Sequence, residues 1–184
     1  MLTTEFGGNW DACPAEQLAA EHASAPWAGL VSGQAGSPMI WWFEWLDQHE
    51  AFAPYRALSA YITGEDLRGG DGRSIALAAT SSGGALWARA WVRPGRLLGY
   101  VLDSAWGSNG LGEASHPAAE VMVNGAISPG SITVEWWDAD RGGLLTTQRI
   151  DHPGGDLHLH PPAFARHIAF KMLRVGVAPA PAAK

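Results

Sequence analysis

The chain has 184 residues, 47% of them apolar and 16% charged, with a formal net charge of −6. That is enough for one ordinary globular domain or slightly more, and it excludes a disordered chain. The acidic balance argues against nucleic acid or an anionic membrane as the main partner. No run approaches the roughly 18 apolar residues of a membrane helix.

The N-terminus, MLTTEFGG, lacks the charged and apolar regions of a signal peptide, so the sequence assigns no compartment. A single cysteine, Cys13, excludes an internal disulfide and a cysteine-rich metal site. Gly107 to Gly112, GSNGLG, lacks the lysine and the strand-to-helix setting of a phosphate loop. The sequence therefore calls for no cofactor.

In chain order, Leu2 to Phe6 reads as a short strand that holds Glu5, a costly place for a carboxylate unless it is paired or working. Pro14 and Glu16 open a helix, which Pro26 should kink before it reaches Gly33. Met39 to Phe43, bulky and apolar throughout, reads as a strand buried on both sides. Glu44, Trp45, Asp47, Gln48 and His49 follow as a polar mouth, and Pro54 opens a second helix that stops at Gly64. The first 64 residues thus spell β-α-β-α, an alternation that argues for a parallel sheet with helical crossovers.

The pattern changes across Glu65 to Arg73, which serves as a domain boundary. Beyond it, eight segments read as strands: 74–80, 85–92, 97–102, 119–123, 131–137, 144–150, 157–160 and 167–173. Gly, Pro and Asn turn signals separate them, which is the signature of an antiparallel sandwich. Ser104 to Pro117 is a long Gly/Ser loop, and residues 177–184 form a Pro/Ala tail. The expected organisation is an α/β part over 1–68, an all-β sandwich over 69–176 and the tail.

Ten tryptophans stand out. Core packing accounts for most, and some suit the role of a flat platform for the CH face of a sugar ring.

The combination of Thr4-Glu5-Phe6-Gly7-Gly8, Glu21-His22-Ala23 through Trp27-Ala28-Gly29-Leu30, Ser32-Gly33-Gln34-Ala35-Gly36 and Met39-Ile40-Trp41-Trp42 resembles a known pattern. It is that of the last quarter of the clan-A-like retaining TIM-barrel glycoside hydrolases, in particular cellulase-like bacterial glycosidases. Ser131 to Asp138, SITVEWWD, followed by Arg141-Gly142-Gly143, resembles the C-terminal sandwich of those proteins, which bears the name collagen-binding domain. The resemblance implies the last two βα units of a (β/α)8 barrel followed by an antiparallel β-sandwich. It also implies that Glu5 is the catalytic nucleophile.

A retaining glycosidase needs a second carboxylic acid roughly 5 Å from the nucleophile. In this family that acid lies in an Asn-Glu motif on an earlier strand, and no Asn-Glu dipeptide occurs here. The chain is thus expected to act on a polysaccharide or oligosaccharide only together with the missing N-terminal barrel segment, encoded upstream of Met1 or on a separate chain. Alone it should expose apolar strand faces and be poorly soluble.

Trp41 and Trp42 point to opposite sides of a strand, so at most one faces the barrel mouth. Trp42 is taken as the sugar platform, with Trp10, Glu44 and Asp47 as further substrate-binding candidates. His152, His158 and His160 form a polar strand region rather than a metal site. Asp138 and Asp140 fit turn chemistry better than a calcium site. The alternative reading is a non-catalytic carbohydrate- or protein-binding β-sandwich module, and a third is a sandwich that only stiffens the barrel.

Overall fold

The structure, a computed structural model, describes residues 3, 5–7, 14–36, 38–68, 71–107 and 114–175. In chain order the elements are β1 (Glu5–Phe6), α1 (Ala15–Val31), β2 (Met39–Ile40), α2 (Phe43–Gln48), α3 (Ala53–Ile62), β3 (Arg73–Ala76) and β4 (Ala78–Thr80). They continue with β5 (Leu86–Arg93), β6 (Arg96–Asp103), β7 (Ser115–His116), β8 (Glu120–Asn124), β9 (Gly130–Trp137), β10 (Leu144–His152), β11 (Asp156–Leu159), β12 (Phe164–Ala165) and β13 (His167–Arg174).

The chain is β-rich, and its two larger sheets are antiparallel throughout. One has six strands in the order β10-β9-β13-β6-β5-β3; the other has three, β11-β8-β4. They enclose a core to which β9 contributes Ile132, Val134 and Trp136, and β13 contributes Ile168, Phe170 and Met172. Val121, Val123 and Leu159 face them from the smaller sheet. Phe170 stands opposite Gly99 of β6, where a Cβ would lie 2.2 Å from its ring, so only glycine admits the phenyl group.

The six-stranded sheet is covered on its other face as well. Alternation along β6 and β13 turns Leu98, Tyr100 and Ala169 toward Trp27, Val31, Ala57, Leu58 and Tyr61 of α1 and α3. Trp27 is fully buried, stacks on Tyr100 with centroids 5.7 Å apart and meets Tyr61 edge-on at 4.9 Å. Burying such a side chain stabilises by about 1.5–3 kcal/mol. The Tyr61 hydroxyl donates to the Phe170 carbonyl at 2.6 Å, and the Ser74 hydroxyl donates to the Val31 carbonyl at 2.7 Å. Burial on both faces is why β6 and β13 read as nearly continuous apolar runs.

Several boundaries differ from those the sequence suggests. The expected strand 74–80 is two strands, because the chain changes sheets at Leu77: β3 pairs with β5 and β4 with β8. A strand can serve both sheets of a sandwich only by turning a corner. Strand β2 ends at Ile40, and Phe43 opens α2 instead of closing a strand. The expected polar mouth is therefore largely helical, with Leu46 buried beneath it. Helix α1 runs through Pro26 without a break. Within the stretch 104–117 lies β7, which pairs with β12, and neither strand has an apolar period that would announce it. Of the expected first strand, residues 2 and 4 lie outside the described residues, as does the tail 177–184.

The helices and the six-stranded sheet meet at a buried ion cluster. The Glu65 carboxylate receives hydrogen bonds from Arg96 and an ion pair from Lys171 at 2.7 Å. The side chains of Glu65 and Lys171 are each only 5% exposed. The Lys171 ammonium also lies 4.9 Å from the Tyr61 ring centroid and 4.8 Å from that of Trp137. Burial opposes ionisation of Glu65, but the hydrogen bonds and charges of Arg96 and Lys171 outweigh it and hold the carboxyl below its ordinary value of 4.5. Its contribution to stability is then complete above pH 4.5 and disappears as pH falls through the lowered folded-state value. Lys171→Ala should cost up to about 3 kcal/mol in urea unfolding, because Glu65 keeps Arg96 but loses its buried second cation. In acid titrations, wild type should lose stability below pH 4.5 by a component absent from Glu65→Gln.

Candidate functional site

The short parallel pair β1–β2 is what gathers the sequence-derived candidates. Glu5 stands opposite Met39 and Phe6 opposite Ile40. Trp41 donates its backbone N–H to the Phe6 carbonyl at 2.7 Å, which extends the ladder by one step. Strand alternation then divides the residues. Phe6 and Ile40 turn inward to a cluster with Leu18 and Leu46, whereas Glu5 and Met39 are exposed.

Of the two adjacent tryptophans, Trp41 is the more exposed, at 51%, two positions beyond Met39. Trp42 is half-buried, packs with the Leu18–Ile40–Leu46 cluster and lies against Gly7, the residue after the Glu5 strand. Trp42 thus sits at the end of β1, against a residue two positions after Glu5. The indole with the freer surface is Trp41, which a choice between opposite strand faces left aside.

Glu44 and Asp47 are exposed and three residues apart on α2, so they share one side of that helix. The buried Leu46 anchors α2 to the cluster below. The structure does not join Glu44 or Asp47 to Glu5 by a hydrogen bond or ion pair. Trp10 lies outside the described residues, as does Cys13.

Met39, Trp41, Phe43 and Phe52 are all exposed, which concentrates large apolar side chains around this end of the molecule. What the arrangement offers chemically is one solvent-facing carboxylate on a strand end, beside apolar and aromatic surface. Among the described residues no group of three His, Cys, Asp or Glu side chains is placed to hold a metal ion.

The other polar clusters belong to the antiparallel sheets and their connections. Asp138 accepts the backbone N–H groups of Asp140 and Arg141 at 2.9 and 3.0 Å, which forms the turn between β9 and β10. Asp140 accepts from Arg166 at 2.6 Å and contacts His167 Nε2 at 2.9 Å, while the Tyr100 hydroxyl meets His167 Nδ1 at 2.8 Å. Burial works against ionisation of Asp140, yet His167 and Arg166 hold its carboxyl below the usual range. His158 meets Glu120 at 2.9 Å on the exposed surface.

His116 is completely buried between Ser81, at 2.8 Å, and Asp103, at 3.4 Å, with Phe164 stacked on its ring. This Ser–His–Asp set pins β7 against the loop after β4. Sequence reasoning passed over His116, His167 and Lys171. The one available signal was Lys171, a cation between Phe170 and Met172 on an otherwise apolar strand.

No family profile and no curated protein matches the chain. Solved structures do. One described as a glycoside hydrolase superposes with a TM-score of 0.61 at 10% identity, over 88% of this chain and 38% of its own. A glycoside hydrolase of family 5 from Bacteroides vulgatus superposes with a TM-score of 0.51 at 12% identity, over 90% of this chain and 38% of its own. The chain therefore has the fold of part of these glycoside hydrolases, and spans less than two-fifths of the length of either.

Packing separates the two tryptophans experimentally. Trp42→Ala should lower stability by about 2–4 kcal/mol, somewhat less than a fully buried aromatic would. Trp41→Ala should stay within about 0.5 kcal/mol of wild type. Denaturant melts of the two variants would check both.

Proposed function

We propose that this chain is the C-terminal part of a retaining glycoside hydrolase: the last two βα units of its barrel, with Glu5 as nucleophile, followed by an accessory β-sandwich. The observation that carries this reading is the parallel pair β1–β2 with Glu5 at its end, which pairs with no further strand among the described residues. Parallel strands are stable inside sheets covered on both faces. A pair of two residues each, with Met39 and Trp41 exposed beside it, calls for further strands. The likeness in fold to about two-fifths of longer glycoside hydrolases agrees with a partner of that kind.

On this reading the partner is the N-terminal barrel segment, on the same polypeptide or a separate one. Glu5 attacks the anomeric carbon of a polysaccharide or oligosaccharide while an acid from the partner segment protonates the departing oxygen. The glycosyl ester is then hydrolysed by water, with that same acid now acting as base. Trp42 and Trp10, with Glu44 and Asp47, would line the sugar side of the cleft. No cofactor takes part.

The alternative is a non-catalytic carbohydrate- or protein-binding β-sandwich module. It is favoured by the sandwich's having a closed core of its own, to which neither β1 nor β2 contributes. Assays of the native protein, with its intact mass measured alongside, decide between them. Glycosidase activity should reside in a species heavier than 19.5 kDa, and Glu5→Gln should remove turnover while leaving the melting temperature in place. A native mass of one chain with glycan binding and no turnover in any assembly would establish the module instead.

A further inference from the structure

A cleft lies away from the Glu5 strand, between α1 and the turn that follows β6. Its volume is about 150 Å³, which is room for one six-membered ring. Gln17, Glu21 and Ser24 line it from α1, at the spacing of one helix face, over a floor that includes Ala20; Trp106 forms the opposing wall. Gly107 closes one end. A Cβ there would come within 2.8 Å of the Ala20 side chain, so the chain can lie this close to α1 only as glycine.

The wall is held rigidly. Trp106 meets His167 edge-on at 4.9 Å, and the Arg166 guanidinium lies 5.5 Å from its ring centroid. Arg166 and His167 are both tied to Asp140, and His167 is tied also to Tyr100. The turn beneath the ring is fixed too: Ala105 donates to the Asp103 carboxylate at 2.9 Å and Trp106 to the Asp103 carbonyl at 3.1 Å. The rim is equally ordered, since Gln17 donates to Glu21 at 2.9 Å and Ser24 to the Ala20 carbonyl at 2.7 Å. A pre-positioned indole and rim reduce the ordering cost that binding would otherwise incur.

We infer that this cleft is a carbohydrate-binding subsite that seats one neutral pyranose unit against Trp106. The ring's CH groups would meet the indole, and its hydroxyls would exchange hydrogen bonds with the Gln17 amide, the Glu21 carboxylate and the Ser24 hydroxyl. The rim's chemistry selects the ligand class. Glu21 disfavours an anion, Arg166 is paired with Asp140 outside the lining, and the amide, carboxylate and hydroxyl of the rim suit a ring rich in hydroxyls. The inference rests on the proposed carbohydrate function but not on catalysis by Glu5.

The test uses the full chain, titrated with neutral cello-, xylo- and manno-oligosaccharides by calorimetry and saturation-transfer NMR. Binding by at least one of the three is expected, with Trp106→Ala and Gln17→Ala each lowering affinity by about tenfold or more. Leu145→Ala, on the exposed face of β10, should leave it unchanged. Gln17 is on the helix surface, so its variant is expected to fold even where Trp106→Ala loosens the turn; thermal melts verify both.

Binding that survives both cleft substitutions, or no binding of any of the three sugars at millimolar concentration, overturns the inference. A glycosidase that turns over through Glu5 but shows no dependence on Trp106 sinks the subsite and spares the proposed function. Trp106-dependent binding in a protein whose assemblies never turn over does the reverse.

Discussion

The Glu65–Lys171–Arg96 cluster is the constraint on which the rest of the structure depends. A lysine on the central strand β13 cannot be left alone in an apolar environment, so the residue after the helical segment must return a carboxylate to it. That requirement fixes where α3 ends and how the linker leaves it. The rings of Tyr61 and Trp137 enclose the same ammonium and exclude water from it. Because one partner comes from the helical part and the other two from the sheet, the cluster specifies a single docking of one on the other. An apolar contact of equal area would tolerate sliding.

With that docking fixed, the aromatic residues follow as a set. Trp27, Tyr61, Tyr100 and Trp137 form a continuous layer between helices and sheet, and Trp136 packs with Phe170 on the opposite face. Adjacent residues on β9, Trp136 and Trp137, thus serve two different cores. Much of the chain's tryptophan content therefore belongs to three stacked layers within fewer than 200 residues. Trp41, just past the end of β2, is the most exposed of the described tryptophans.

The antiparallel strands were legible because they alternate and their turns carry Pro-Gly, Asn-Gly and Gly-Gly signals. Seven of the eight expected segments correspond to single strands shifted by no more than about two residues at either end. What was not legible has a physical reason in each case. The break at Leu77 depends on which sheet each half joins, a long-range fact with no local trace. Strands β7 and β12 are two residues each and are held by His116 and its partners rather than by propensity. Phe43 reads as strand by bulk, but once Trp42 leaves the extended conformation the next residues find a helical solution with Leu46 inward. At the site, Glu5, Trp42, Glu44 and Asp47 could be picked out as residue types in order. Burial, which separates Trp41 from Trp42, could not be read from two neighbouring tryptophans.

The position of β13 also governs when the fold can form. It follows every other described strand in the chain, yet it lies in the middle of the six-stranded sheet, between β9 and β6. Until it is made, β10 and β9 are one separate ribbon and β6, β5 and β3 another, with no shared edge. Lys171, the partner that Glu65 requires, is on this same strand. A chain emerging from the ribosome must therefore hold its helices and two half-sheets in waiting, and close them in one cooperative step when β13 inserts. Contacts of such long sequence separation make for slow folding, and a truncation of even one strand at this end would split the sheet rather than trim it.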